Sequence, residues 1–266
     1  MVTHKLVLVV VSLAQLGNKA LMITRNIRKL LRVGKENLAQ RGRIRINYLH
    51  IGKTGGSQIS HQLEQANQDN KKYFFVKRPH RVRAADLAES ELWFCSVRDP
   101  ISRFYSGFYS RKRMGRPRNN FSWSPGEEIA FGLFPHANDL AEALDPEHAE
   151  NPSAVKAMSE ISHINRPMTY TLGDGHLSQN PIFVIRQEHL NDDLRFFFSI
   201  LGMDFRPEFS ESPIISHRND YSKEKAQPLS EHAKNNLASW YREDFLLMET
   251  LAQKWDSLWQ ESSNGS

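Results

Sequence analysis

The stretch 47-NYLHIGKTGG-56 joins a short apolar run to a lysine set among three glycines. Residues 44–51, which overlap it, are mostly apolar or β-branched and predict a buried strand. Gly52, Gly55 and Gly56 remove three Cβ atoms, so the backbone there can take positive φ and approach a ligand closely. A helical pattern resumes directly after the glycines. A strand, a glycine-rich loop and a helix start, in this order, favour a cradle for an oxyanion.

The rest of the chain alternates strand-like stretches with helical or polar ones. The strand-like runs lie at Ile44–Ile51, Tyr73–Val76, Glu91–Val97 and Pro181–Ile185. Such alternation predicts an α/β fold with a central, mainly parallel sheet flanked by helices. Shorter helices are predicted to begin at Pro125 and at Asp139. A long helical stretch is predicted over residues 229–259, and we expect five of its side chains to pack onto the sheet: Leu237, Trp240, Tyr241, Phe245 and Leu246.

Length and composition restrict the class of protein. With 266 residues, of which 39% are hydrophobic, the chain can bury one domain with extensions. The net charge of +5 suits an anionic ligand or partner, although charge says nothing about the fold. The single cysteine, Cys95, excludes an intramolecular disulfide framework. It lies in an apolar run, so we interpret it as a buried packing thiol and not a nucleophile.

The N-terminal residues form a separate sequence segment. The apolar run from Leu6 ends at about Leu16, short of the roughly 20 apolar residues that a membrane-spanning helix needs. Residues 20–35 then alternate apolar and basic positions, as in a basic amphipathic helix. We favour a helix packed on the domain; the alternatives are attachment to a membrane surface and a signal-anchor. The predicted organisation is an extension at 1–40, a domain at 41–260 and a polar tail at 261–266.

A second informative stretch is 94-FCSVRDPISRFYSGF-108. Asp99 followed by Pro100 predicts a helix N-cap with proline at the first helical position. On that helix the spacing predicts one buried stripe, made of Ile101, Phe104, Tyr105 and Phe108. Gly107 thins the helix where another segment approaches closely. Arg98 falls at the carboxyl end of a strand, and with Ser106 on the helix it is suited to binding a phosphate.

Together, HIGKTGGS and SVRDPISRFYSGF resemble the two nucleotide motifs of the carbohydrate-type (family 2) sulfotransferases. The first resembles their 5′-phosphosulfate loop, usually HIPKTGGTS, and the second their 3′-phosphate motif. The resemblance continues through Pro79-His80 and through VIRQEHLNDDLRFFFSILG at 184–202, and covers roughly residues 44–250, with weak matching between 115 and 181. It implies a P-loop-like three-layer sandwich and a sulfuryl donor, 3′-phosphoadenosine-5′-phosphosulfate (PAPS), with no metal.

The resemblance also assigns roles to residues of this chain. Lys53 and the backbone N–H groups of residues 54–57 would stabilise the leaving phosphate. Arg98 and Ser106 would hold the 3′-phosphate, and residues 216–225 resemble the late loop over the nucleotide. The residues that we expect to bind the sulfuryl donor are Lys53, Thr54, Gly55, Gly56, Ser57, Gln58, Arg98, Ser106, Arg218 and Tyr221. We expect Arg103 to brace the loop.

Transfer also requires a general base near the acceptor hydroxyl. His80 is our first candidate, because the family carries its catalytic histidine in this element between the two motifs. The alternative is a surface histidine in a basic loop. Glu188 is a second candidate base, although a glutamate at a strand end is as easily a structural anchor. His50 and His163 are interpreted as packing or hydrogen-bonding residues, and the spacing of the histidines predicts no metal site.

Two positions depart from the family pattern. Gly52 replaces the usual proline, and Ser57 stands where threonine is usual, which keeps a hydroxyl. Nucleotide kinases need GxxxxGK[ST], whereas here the lysine precedes the glycine pair, so the order disfavours an ATP or GTP enzyme.

The acceptor is predicted only by class. The motifs favour a glycan or glycolipid hydroxyl, and we expect the basic loop at 111–118, with Trp123, to contact a sugar or acidic groups. One alternative function is nucleic-acid binding through that loop, which we do not expect; another is a catalytically inactive nucleotide-binding module. The single cysteine and the lack of a clear membrane span favour a cytoplasmic protein. Peripheral membrane contact through residues 1–35 is kept open as the alternative to a helix packed on the domain.

Overall fold

The computed structural model describes residues 42–117, 119–173, 181–204, 207 and 226–264. Residues 42–44 and 71–74 belong to one compact unit, and the described residues 45–70 and from 75 onward form another. The strands are β1 (Ile44–Leu49), β2 (Tyr73–Arg78), β3 (Leu92–Val97) and β4 (Val184–Arg186). Their order is β2-β1-β3-β4, and the β1–β3 and β3–β4 pairs are parallel. The predicted α/β fold with a mainly parallel sheet is therefore confirmed.

Helices flank this sheet and follow its strands. In the described residues they are α1 (Gly56–Asp69), α2 (Pro100–Lys112), α3 (Pro125–Leu133), α4 (Ala137–Glu142), α5 (Asn151–Glu160), α6 (Thr169–Leu172), α7 (Leu190–Ile200), α8 (Glu231–Trp240) and α9 (Arg242–Asn264). Short 3₁₀ turns lie at Ala84–Asp86 and Gln187–His189. Because β1 and β3 are parallel, the starts of α1 and α2 lie at the same carboxyl edge of the sheet, where open α/β folds bind ligands.

Helix α2 begins as its sequence predicts. The Asp99 carboxylate accepts the Ser102 N–H at 2.7 Å, and Pro100 occupies the first helical turn. Of the predicted buried stripe, Phe104 and Phe108 are fully buried, but Ile101 and Tyr105 are only half-buried. The prediction of one buried stripe on α2 was incomplete. The helix is covered on more than one side, so several of its polar residues are buried as well: Arg103, Ser106, Ser110 and Arg111.

The C-terminal helical stretch departs from its prediction. It consists of α8 and α9, which are separated at Tyr241. Tyr241 is buried, donates its hydroxyl to the Ile164 carbonyl oxygen at 2.9 Å and lies 6.4 Å from the Phe104 ring. Leu237 joins the same helical cluster, whereas Trp240 and Leu246 are each 43% exposed. The expectation that all five side chains pack onto the sheet was wrong, because α8 packs against α4 and α2, and α9 packs against α7.

Two smaller predictions concern Cys95 and the N-terminal segment. Cys95 lies fully buried in β3, and burial raises the pKa of its thiol, so it is a packing residue as predicted. Within the described part of the chain, no helix is long and apolar enough to cross a membrane. The extension at 1–40 lies outside the described residues.

Candidate active site

A cavity of about 920 Å³ opens at the carboxyl edge of the sheet. It is lined by several separate parts of the sequence: the loop after β1, β2 with the turn after it, and Arg98 with α2. Residues between 115 and 127, at 162–163 and at 187–190 complete the lining. The predicted site residues that line it are Lys53, Gly55, Gly56, Ser57, Gln58, His80, Arg98 and Ser106. Arg218 and Tyr221 lie outside the described residues. The fold therefore brings two distant motifs and the candidate base to one cavity.

The glycine loop, residues 52–57, uses its glycines in two ways. Only Gly55 among them has a left-handed backbone, with φ of 84°, and Lys53 itself has φ of 71°. Gly56 is required by close approach: a Cβ there would lie 1.9 Å from the His50 Nε2 atom. Of the two freedoms predicted for these glycines, Gly55 thus uses positive φ and Gly56 uses close approach, and Lys53 carries part of the backbone strain.

Thr54 anchors the glycine loop from beneath. Its buried hydroxyl donates to the Ile51 carbonyl oxygen at 2.9 Å and lies 2.7 Å from the Ser96 hydroxyl on β3. The Ser96 hydroxyl also lies 2.8 Å from the Tyr48 hydroxyl. The side chain of Thr54 is thus committed to the fold, and only its backbone N–H is left for a ligand.

The start of α1 presents backbone N–H groups beside this loop. The Ile59 N–H donates to the Gly55 carbonyl oxygen at 3.1 Å and begins the hydrogen-bond ladder of the helix. The backbone N–H groups just before residue 59 therefore have no carbonyl partner within the helix. The Gln58 carboxamide is buried, and neither of its polar atoms has a hydrogen-bond partner in the described residues. Because Gln58 lies in the first turn of α1 and lines the cavity, its backbone N–H group can contribute to the anion cradle.

Lys53 is the main charge of the glycine loop. Loss of water around its ammonium, together with the nearby Arg113 and Arg98 guanidinium groups, lowers the pKa of Lys53 to about 8. Cations placed near one another in a cavity destabilise the folded protein unless an anion is bound. The electrostatics of this loop therefore suit an anionic ligand.

Arg98 and Ser106 lie as the sequence predicts, one after β3 and one on α2, and both line the cavity. Arg98 Nη1 donates to the Lys53 carbonyl oxygen at 3.4 Å, which links the end of β3 to the glycine loop. Ser106 is only 3% exposed, so its hydroxyl lies deep in the cavity wall. A guanidinium and a hydroxyl in this arrangement can hold a second anionic group of the same ligand.

His80 lies at the edge of the cavity and pairs with His50. Its Nδ1 atom lies 2.8 Å from the His50 carbonyl oxygen, and the two rings are 4.1 Å apart between centroids. Because a carbonyl only accepts, Nδ1 carries the proton and Nε2 keeps its lone pair. The residue is exposed as a whole, but partial desolvation of the ring lowers its pKa, which favours the neutral imidazole. This is the protonation state that a general base needs.

Glu188, the second candidate base, is used elsewhere. Its Oε1 atom accepts the Asp99 N–H at 2.9 Å, next to the start of α2. Glu188 is absent from the described residues that line the cavity. The geometry thus matches the structural-anchor alternative, and His80 is the candidate base that the fold brings to the site.

Arg103 and His163 form a support that sequence reasoning recognised only in part. Arg103 is buried and donates to carbonyl oxygens on both sides: that of Gly52 at 3.1 Å and that of His163 at 3.3 Å. Its Nη1 atom also lies 3.9 Å from the buried Asp244 carboxylate. Gly107 is required here, since a Cβ on it would lie 2.7 Å from the Ile164 side chain. Arg103 therefore braces the glycine loop, as expected.

His163 itself lines the cavity, which its sequence context did not reveal. It has φ of 76°, and its Nδ1 atom would lie 3.4 Å from a Cβ on Gly52. Burial, and then the charges of Lys53 and His80, lower the pKa of His163 to about 3. The interpretation as a packing or hydrogen-bonding residue did not predict that His163 lines the cavity with a neutral imidazole. Its place, in a part of the chain with weak family resemblance, carried no signal.

Two residues that were predicted to contact the acceptor, Arg111 and Trp123, line the cavity and also bind other parts of the fold. Arg111 is buried, and its Nε atom donates to the Glu127 carboxylate at 2.7 Å. Burial opposes ionisation of Glu127, but Arg111 and the backbone N–H groups of Ser124 and Ser162 outweigh it and lower the pKa to about 2. Trp123 donates its indole N–H to the Arg111 carbonyl oxygen at 2.8 Å and packs 5.0 Å from Phe131. Arg111 thus forms a structural ion pair with Glu127, and Trp123 packs against Phe131.

The whole arrangement agrees with the result of comparison with known proteins. The chain matches the model of the sulfotransferase family over residues 36–249, which is more than half of its 266 residues. No curated protein matches the chain. The matched range contains the glycine loop, the Arg98 and Ser106 pair and His80. The chain belongs to the sulfotransferase family, and its activity is that of a transferase.

Proposed function

We propose that the protein transfers the sulfuryl group of PAPS to a hydroxyl of a glycan or glycolipid. One observation carries this proposal. Lys53 with the start of α1, the Arg98 and Ser106 pair, and His80 all line one cavity. These groups can supply the three functions that the reaction needs: stabilisation of the leaving phosphate, binding of a second phosphate, and removal of a proton.

The residues present fit such a sulfuryl donor. A volume of about 920 Å³ lies within the range of about 300–1,000 Å³ that is typical of small-molecule sites. The pKa of Lys53 is lowered by burial and by the nearby Arg113 and Arg98 guanidinium groups, so an anion bound here would relieve the repulsion between these cations. Gly56, where a Cβ would collide with the His50 ring, allows the backbone to remain close to the cavity.

Each group of the chain then has a defined task. When bound, the sulfuryl donor supplies an activated sulfur–oxygen bond whose leaving group is a phosphate. Lys53 and the first N–H groups of α1 would stabilise the negative charge that develops on that phosphate. Arg98 and Ser106 would hold the 3′-phosphate and fix the orientation of the nucleotide.

His80 would accept the proton of the acceptor hydroxyl. Its Nδ1–H donates to the His50 carbonyl oxygen, which leaves Nε2 unprotonated. The lowered pKa keeps the ring neutral at physiological pH. General bases of this kind contribute typically about 10²- to 10⁴-fold to the rate.

Calorimetric titration with the desulfated product, 3′-phosphoadenosine-5′-phosphate (PAP), tests the nucleotide site. We expect micromolar binding by the wild-type protein and binding weaker by at least about ten-fold in Arg98→Ala, because charge-assisted contacts are worth about 1.5–3 kcal/mol. Arg81→Ala is the matched control, since Arg81 is exposed and does not line the cavity. Absence of PAP binding by the wild-type protein, or equal binding by Arg98→Ala, would contradict the proposal.

A separate measurement tests the base. His80→Asn should slow cleavage of PAPS by about 10²- to 10⁴-fold while the dissociation constant of PAP changes little. His61→Asn, on α1 outside the cavity lining, serves as the control. An unchanged rate in His80→Asn would remove His80 from the reaction.

The location and partners of the protein remain proposals from the sequence. We propose a cytoplasmic enzyme that contacts a membrane surface through residues 1–35 and does not bind nucleic acid. The single cysteine and the basic amphipathic pattern of the N-terminal segment support this view. Deletion of residues 1–40 should shift the protein from the membrane fraction to the soluble fraction; an unchanged partition would contradict the membrane contact.

A further inference from the structure

Sulfuryl transfer sets a condition on how the acceptor reaches the sulfur. The attacking oxygen must lie in line with the bond that breaks, on the side of the sulfur opposite the leaving phosphate. The acceptor therefore cannot arrive along the space that the nucleotide fills. A site of this kind needs one opening for the sulfuryl donor and another for the acceptor, and the two must meet next to the general base.

Two cavities meet at His80. The larger one contains the residues that are proposed to bind the sulfuryl donor, and a second cavity of about 240 Å³ lies next to it. The two share five lining residues: His50, Gly52, His80, Ser162 and His163. Among the described residues that line the smaller cavity, Lys53, Arg98 and Ser106 are absent. The shared residues, three of which are histidines, thus form the wall between the two cavities.

We propose that the smaller cavity is the acceptor subsite, a proposal that rests on the function proposed above. The attacking hydroxyl enters from this side and meets the sulfur at the shared wall, next to His80. Electron density flows in one direction: a bond forms between the acceptor oxygen and sulfur, and the bond between sulfur and the phosphate oxygen breaks. The electron pair leaves with the phosphate, and the hydroxyl proton passes to His80 Nε2.

The lining of the smaller cavity indicates the class of acceptor. Its own residues include Asn165, Arg166 and Thr171, which offer amide, guanidinium and hydroxyl groups, and Pro167, which offers an apolar face. A volume of about 240 Å³ corresponds to roughly eight water molecules at about 30 Å³ each. This is the size of one sugar ring with its hydroxyl groups. The subsite therefore takes a single sugar residue of a larger glycan or glycolipid.

His163 is held firmly at the shared wall. Arg103 fixes its carbonyl oxygen at 3.3 Å, and the same guanidinium fixes the glycine loop through the Gly52 carbonyl oxygen at 3.1 Å. Its backbone is in the left-handed region, with φ of 76°, which is uncommon for residues other than glycine. Its neutral ring can accept or donate one hydrogen bond and so orient the acceptor hydroxyl toward His80.

The part of the larger cavity that Arg111 and Trp123 line is less suited to the acceptor. There Arg111 is bound to Glu127, and Trp123 packs against Phe131 and donates to the Arg111 carbonyl oxygen. These side chains are engaged within the fold. The exposed ring of Phe121 and the side chains of Asn119 and Ser122 line the larger cavity and are not among the residues that line the smaller one.

Site-specific thiol labelling distinguishes the two sides, because Cys95 is fully buried and gives no competing reaction. Asn165→Cys places a thiol at an exposed residue of the smaller cavity, and Ser122→Cys, the matched control, places one at an exposed residue of the larger cavity alone. Each is labelled with a bulky maleimide in the presence and absence of saturating PAP. PAP affinity and slow cleavage of PAPS, with water as acceptor, are then measured on the labelled proteins.

We expect the thiol at 165 to react at the same rate with PAP bound. Its adduct should leave the PAP dissociation constant unchanged but slow PAPS cleavage at least about ten-fold, because it blocks the attacking position. The adduct at 122 should affect cleavage much less. Protection of the thiol at 165 by PAP, or cleavage that is slowed equally by both adducts or by neither, overturns the acceptor subsite. A wild-type protein that binds no PAP overturns the proposed function, and this inference with it.

Discussion

Two cationic side chains line the same cavity, yet the fold treats them in opposite ways. Arg111 is paired with the Glu127 carboxylate, and that carboxyl has a pKa of about 2. Lys53 lies among other cations, Arg113 and Arg98, and has its pKa lowered to about 8. A charge whose counter-ion is part of the chain stabilises the fold, whereas a charge among like charges stabilises a ligand. The difference separates structural from functional basic residues where charge composition alone does not.

Loss of the Arg111 pair should produce the largest change. Arg111→Met leaves the buried Glu127 carboxylate without its partner, and we expect a loss of about 3–5 kcal/mol in the free energy of unfolding, measured with urea. Replacement of both residues, Arg111→Met with Glu127→Leu, should recover most of this loss. A single variant within about 1 kcal/mol of the wild-type protein would remove the structural role of the pair.

The same pair predicts acid sensitivity. Because the folded pKa of Glu127 is about 2 and its ordinary value is 4.5, the unfolded chain binds more protons between these values. This contribution is fully present above pH 4.5 and is lost as the pH falls toward 2, by about 3 kcal/mol in total. Glu127→Gln should flatten this part of the stability profile. An equally steep profile in Glu127→Gln would assign the acid sensitivity to other groups.

Lys53 should show the opposite behaviour in a binding experiment. We expect Lys53→Met to weaken PAP binding by roughly 10- to 100-fold, since it removes a charged contact from a desolvated site. The double variant at Arg111 and Glu127, once folded, should bind PAP within a few-fold of the wild-type protein. Equal losses in the two variants would erase the distinction between the two cations.

The smallest expected effect is a gain in stability. Lys53→Met removes repulsion and desolvation, so the free energy of unfolding at neutral pH should rise by about 1 kcal/mol. Because the folded pKa is about 8 and the ordinary value 10.5, the unfolded wild-type chain binds more protons between these values, and wild-type stability rises there. The advantage of the variant should therefore shrink from pH 8 upward. Lys156→Met, at an exposed position of α5, should show no such gain.

The parts of the fold that the sequence predicted depend on local signals. The Asp99-Pro100 helix start and the strand before the glycine loop are each specified by residues adjacent in the chain. The resemblance placed Lys53, Arg98 and Ser106 for the same reason, since each lies within a short motif.

The remaining features depend on contacts between residues distant in sequence. The backbone N–H of Thr54 was predicted to bind the sulfuryl donor, but the sequence did not show that the Thr54 hydroxyl is held by Ser96, on β3. Arg111 was predicted in the basic loop at 111–118, and the sequence did not show its pairing with Glu127, in a later helix. No local pattern predicts that His163 lines the cavity, because its position depends on contacts with Arg103 and Gly52, which lie in two other segments. Tertiary pairing of polar side chains was the information that the sequence lacked.

Proton uptake on PAP binding tests the central claim most directly. Calorimetry at pH 8 in two buffers of different ionisation enthalpy gives the number of protons taken up. If Lys53 has a pKa of about 8 in the free protein and meets an anion in the complex, the wild-type protein should take up about half a proton. Lys53→Arg, whose guanidinium stays charged, should bind without this uptake. Binding of PAP without proton uptake by the wild-type protein, or with equal uptake by Lys53→Arg, would contradict the assignment of Lys53 as the charge reserved for the ligand.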